Sequence, residues 1–171
     1  MRIFRPTLIL AAVSALLIGG AQRTAHTAGF LAGRTSAASG INSELARARA
    51  ATSKYHDVAT AEAEGYVSIN FCEPGEGCHW LKPSLVDSNF DPEQPEILLY
   101  APGPGNSGLR LVAVEYIVPL TLSLGAPPEG FTGNSDLWRE DTEGAGLWEL
   151  TAWIWMSNPN GIFEQHNPKA P

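Results

Sequence analysis

Residues Leu109 to Pro119, LRLVAVEYIVP, carry apolar side chains on both faces of the strand they spell. A strand with one apolar face can lie at a surface, but a strand with two has to be covered on both. The stretch is therefore predicted to be a central strand, and the rest of the chain must supply its neighbours and covers. Residues 96–101 (EILLYA) read as one neighbour, because the intervening PGPGNSG has the Gly and Pro content of an antiparallel reversal. Glu115 is the exception in this row. It stands among Leu111, Ala113 and Ile117, with Val112, Val114 and Tyr116 on the other side. If buried it needs a partner; left alone it would have a raised pKa and could serve as a general acid or base. A rim position or a hydrogen-bonded structural carboxylate are the alternatives.

Upstream, Asn42 or Ser43 can cap a helix that runs to residue 64 and stops at Gly65. Its stripe of Leu45, Ala48, Ala51, Tyr55, Val58 and Glu62 is narrow and rich in alanine, which suits close packing on a sheet. The period then changes to 2, with Val67, Ile69 and Phe71 alternating with Ser68 and Asn70. Residues 79–86 (HWLKPSLV) can form a strand that Pro83 would place at a sheet edge. Residues 120–146 show no sustained period, and residues 147–156 (LWELTAWIWM) return to strand character. The pattern has no repeats and no alternation of strand and helix. It predicts an α+β domain: one N-terminal helix packed on a mostly antiparallel, curved sheet or partly closed roll of about five strands.

Arg2 and Arg5 precede an uncharged apolar run that ends in Gly19, Gly20 and Ala21, so residues 1–21 read as a secretory signal peptide, too short to span a membrane. Residues 22–40 read as a disordered leader and 41–171 as a single globular domain. The expected location is secreted or periplasmic, with no membrane association once the signal is cleaved. Cleavage would take Arg2 and Arg5 from the 11 basic residues and leave all 18 acidic ones. Such a balance excludes nucleic acid as a partner, since phosphates call for Lys and Arg, and points to a small molecule or a cation.

Export also bears on NFCEPGEGCHWLKP, residues 70–83, which holds both cysteines. In an oxidising compartment Cys72 and Cys78 are expected to pair, and the Pro74–Gly75 step between them reverses the chain. The spacing does not fit C-x-x-C-H haem attachment. His79, fixed just after this turn, and Glu115 could hold a divalent metal with a third ligand. Glu149, Thr151 and Trp153 share a face of the last strand, so Thr151 and Trp153 could line one pocket with His79, Glu115 and Tyr116. His166 falls in the C-terminal tail. G-x-S-x-G and H-E-x-x-H are both absent from the sequence.

The set YHDVATAEAEGY, G-x-H-W after a cysteine, LRLVAVEYIVP and WELTAWIWMSNPNGIFEQHNP resembles a family of uncharacterised exported bacterial proteins, over residues 51–168. The family's Y-x-D-x-x-x-A-x-x-x-G-Y matches Tyr55, Asp57, Ala61, Gly65 and Tyr66, its G-x-H matches Gly77 and His79, and its V-E-Y matches Val114, Glu115 and Tyr116. Relatives commonly carry histidine where this chain has Thr151, which removes the natural second imidazole of a His/Glu metal site. The resemblance implies a family and an exported domain, without an activity. Three readings follow: a non-catalytic domain that binds a small molecule or metal cation; an enzyme using Glu115 as base and His79 as acid, or metal-assisted, with residues 120–146 as a lid; and a structural or interaction protein of the cell envelope.

Overall fold

The structure, a computed structural model, describes residues 22–105, 108–123, 125–141 and 144–171, with side chains from residue 37 onward. Residues 1–21, read as a signal peptide, lie outside the described residues. Thr35–Pro171 forms one compact unit. The expected α+β architecture is present: helical segments precede an open, six-stranded antiparallel sheet.

Helix α1 spans Gln22–Thr52, a 3-10 turn follows at Ser53–His56, and helix α2 spans Val58–Ala63. Two features differ from the sequence expectation. Residues 22–40, expected as a disordered leader, are helical from Gln22 onward; the stretch has alanines and no proline, although Gly29, Gly33 and Gly40 each weaken a helix by about 1 kcal/mol. The predicted single helix through residue 64 is also interrupted, because Asp57 leaves the helical conformation and caps a new segment. Its carboxylate accepts from the Ala59 N–H at 3.1 Å and from the Thr60 hydroxyl at 2.9 Å.

The strands are β1 (Val67–Glu73), β2 (Gly77–Leu81), β3 (Ile97–Pro102), β4 (Leu109–Pro119), β5 (Arg139–Asp141) and β6 (Leu147–Ala152), in the order β1-β2-β3-β4-β6-β5. β4 is interior, as its two apolar faces require. β2 is interior as well, contrary to the edge position that Pro83 suggested: the strand ends at Leu81, and Pro83 opens a 3-10 turn beyond it. β5, only three residues long, lay within the stretch that showed no period. Gly77 lets β2 close on β3, since a side chain there would meet the Tyr100 carbonyl oxygen at 2.6 Å.

The two faces of the sheet have different covers. Trp80, Leu98, Tyr100, Val114, Tyr116 and Leu150 pack against Leu45, Ala48, Tyr55 and Ala61 of the helical segments. Ile97, Leu99, Ala113, Ile117 and Trp153 face the other way and meet Met156 and Ala170 of the C-terminal segment. Three buried tyrosines then satisfy backbone carbonyls that no ladder reaches. Tyr100 donates to Tyr55 O at 2.6 Å, Tyr66 to Pro95 O at 2.7 Å and Tyr116 to Pro92 O at 2.9 Å. On the helix itself, Arg49 Nε donates to Ile154 O at 2.9 Å and ties α1 to the end of β6.

Removing the Tyr100 hydroxyl leaves the Tyr55 carbonyl buried without its donor, a loss of about 1 to 3 kcal/mol. Tyr100→Phe is therefore expected to lower the midpoint of urea unfolding without changing its slope; an unchanged midpoint would mean that this bond does not hold the 3-10 turn to the sheet.

Candidate functional site

The face of the sheet away from the helices is only partly covered by the C-terminal segment, and the remainder is a cleft of about 600 Å³. Alternation on each strand and the register between strands decide what points into it. His79 pairs with Leu99, Ile97 with Glu115, and Glu115 with Thr151, so these five residues share one face. Strands β2 and β4 lie two ladder spacings apart, about 10 Å. The long side chains of His79 and Glu115 span that gap over β3, bringing His79 Nε2 to 3.6 Å from Glu115 Oε2. Thr151 donates its hydroxyl to Glu115 Oε1 at 3.2 Å. Three residues singled out on three strands thus meet at one point. All are buried: 5% exposed for His79, 3% for Glu115 and 2% for Thr151.

The same alternation removes Tyr116 from this group. It is the strand neighbour of Glu115, so it points into the helix-side core, where its hydroxyl is held by Pro92. Trp153 has the correct face but sits beyond the cleft, packed with Met156 and Ala170, and its Nε1 donates to Glu164 O at 2.6 Å.

Two more carboxylates complete the floor: Glu76, which no sequence pattern singled out, and Glu149, which the sequence places on the Thr151 face of its strand. Glu76, within the disulfide turn, is 3% exposed, and its Oε2 lies 3.7 Å from His79 Nε2. Glu149, on β6, lines the cleft beside Arg139, whose guanidinium reaches Glu164 Oε2 at 3.2 Å. Ile69, Phe71, Ile97 and Leu147 give the cleft apolar wall surface, and Glu73, Glu140, Asp141 and Gln165 line it as well. Ile69 and Phe71 belong to the edge strand β1 and stay 43% and 48% exposed. The turn that carries Glu76 is closed by the Cys72–Cys78 disulfide, whose Cα atoms pair directly across β1 and β2 at 3.9 Å.

Burial sets the protonation of this group. It pushes the Glu115 carboxyl well above the ordinary range, reinforced by Glu149 and Glu76 and opposed by Thr151 and Arg139. Burial, with Asp141 and Glu76 nearby, raises Glu149 to about 7. The same desolvation lowers His79 and favours neutral imidazole. Its Nδ1 lies 3.3 Å from Phe71 O, which can only accept, so Nδ1 carries the proton and Nε2 faces the carboxyl groups as a bare acceptor. Both shifts favour the neutral forms, with the Glu115 carboxyl turned toward the bare Nε2 of His79.

Compared with known protein families, curated proteins and solved structures, the chain matches none.

A carboxyl group that binds its proton more tightly when folded makes the fold lose stability as pH rises from the unfolded value through the folded one. Glu115 and Glu149 act in this direction. His79, whose folded pKa is lowered, acts oppositely, and only below its unfolded value of about 6.5. Above about pH 6.5, where His79 no longer contributes, the protein is accordingly expected to lose thermal stability as pH rises, Glu149 contributing until about pH 7 and Glu115 beyond it, by up to about 1.4 kcal/mol per pH unit for each titrating carboxyl. Glu115→Gln keeps the shape without the titration, so its melting temperature relative to the parent should rise over this range. A constant difference between the two proteins would show that Glu115 does not hold its proton.

Proposed function

We propose that this chain is an exported, non-catalytic binding module whose cleft takes a small organic cation, with the positive group against Glu115 and Glu149 and its hydrocarbon part against Ile69, Phe71 and Leu147. The observation that carries this reading is the composition of the cleft. Its floor gathers Glu76, Glu115 and Glu149 around one neutral imidazole, and Arg139, its single cation among the described residues, already reaches Glu164. An anion would meet carboxyl groups there, and a neutral apolar molecule would leave them desolvated without a partner. A cation offers the Glu115 carboxyl, whose burial favours the protonated form, a counter-charge in place of its proton. The half-exposed Ile69 and Phe71 offer an apolar body the surface it would cover.

Support for binding rather than turnover comes from the buried Thr151 hydroxyl behind Glu115. Thr151 commits its proton to Glu115, and His79 Nε2 faces carboxyl groups, so no hydroxyl activated by a base stands there among the described residues. Support for export comes from the paired cysteines, which suit an oxidising compartment. No helix among the described residues is long and apolar enough to cross a membrane.

Calorimetric titration with butylammonium, tetramethylammonium and, as the size-matched anion, butyrate tests the reading. The two cations are expected to bind and butyrate not to. Affinity for the cations should increase from about pH 6 to about pH 8, because Glu115, facing His79, Glu76, Glu149 and Arg139, must release its proton to meet them. Glu115→Gln should weaken cation binding by about tenfold or more. Equal binding of butyrate, or an unchanged affinity in Glu115→Gln, would reject a cation-selective cleft.

A further inference from the structure

Outside the cluster around Glu115, the disulfide turn meets the C-terminal tail and brings together Glu73, Glu76 and His166, each offering one ligand atom within 4.8 Å of the others. We propose that these three residues bind a divalent transition-metal ion, Zn²⁺ being the best fit to the donors, at the junction of the turn and the tail. Two spacings match such an ion. His166 Nε2 lies 3.5 Å from Glu73 Oε1 and 3.5 Å from Glu76 Oε1. That is the outer limit of a hydrogen bond, but ligands about 2.0 to 2.1 Å from a tetrahedral centre stand about 3.4 Å from one another.

A second, independent observation points the same way. Glu76 is 3% exposed, and its Oε1, aimed at His166, has no hydrogen-bond partner among the described residues. Gln165 hydrogen-bonds the Glu76 carboxyl group, but an Oε1 left without a partner is costly, and a cation between it and the imidazole would satisfy it.

The surroundings fix the three donors in place. Glu73 and Glu76 both lie inside the loop that the Cys72–Cys78 bond closes. The tail is docked on that loop through Asn167 N–H to Gly75 O at 2.8 Å, with Asn167 itself fully buried. Asn158 Nδ2 donates to the His166 carbonyl at 3.0 Å. His166 lies flat enough on Gly75 that a side chain there would meet its Cδ2 at 3.4 Å. Two carboxylates and one imidazole, with no thiolate, suit Zn²⁺ and its neighbours, and three protein ligands leave one coordination position open.

This site shares Glu73 and Glu76 with the cleft but does not rest on the organic-cation reading, and His166 does not line the cleft. The test is competition for Zn²⁺ against a chromophoric chelator, using the oxidised full chain without a histidine tag. One equivalent of Zn²⁺ is expected to bind. His166→Ala should weaken it by at least about tenfold, while tetramethylammonium binding stays as in the parent. Glu73→Gln, at a partly exposed position, should weaken it similarly, and Glu115→Gln should leave it unchanged. Absence of stoichiometric Zn²⁺ binding, or equal affinity in His166→Ala and Glu73→Gln, would overturn the site whatever the result with organic cations.

Discussion

Desolvation of a carboxyl group on a strand buried from both sides is the constraint on which this site depends. β4 has helices on one face and the C-terminal segment on the other, so its side chains have little access to water on either. An acidic residue in that row can stay only if something nearby compensates for it. Glu115 is compensated by the Thr151 hydroxyl, by the proximity of His79 and by retaining its own proton. Each of these fixes a neighbour. Thr151 has to be its cross-strand partner on β6, and His79 has to reach over β3 from β2. The register of four strands is thereby linked to one side chain.

Glu96 shows the same physics without a cleft. It is 3% exposed just before β3, its Oε2 accepts from the Ile117 N–H at 3.1 Å, and burial raises it to about 8. A backbone donor is enough to hold it, and it lines no cavity among those described. What sets Glu115 apart is company: further carboxyl groups, an imidazole and apolar walls converge on a common space. Convergence, more than any single shifted group, is what marks a place for a ligand.

Much of this was legible in the chain. The β3–β4 hairpin follows from two apolar runs around PGPGNSG, and the disulfide turn from two cysteines around a Pro-Gly step. The meeting of His79, Glu115 and Thr151 follows from period-2 alternation on strands that proved to lie close in the sheet. What escaped has a common cause. Asp57 interrupts the helix through its own side chain, which the apolar stripe does not register. Tyr116 was grouped with its sequence neighbour, although alternation sends the two to opposite faces. Glu76 and His166 carry no pattern at all; they meet because the tail folds back on the turn through backbone bonds at Gly75. Periodicity reports which face a residue occupies, whereas the docking of irregular segments depends on contacts far apart in sequence.

The central claim is that the cleft holds the Glu115 carboxyl protonated until a cation replaces the proton. Its most direct measurement is a pH titration of the Glu115 carboxyl carbon by NMR in the oxidised protein, with and without saturating tetramethylammonium. The account predicts a midpoint well above the ordinary carboxylate range in the free protein, moving down when the cation is present. A midpoint at about 4.3, indifferent to the cation, would contradict it.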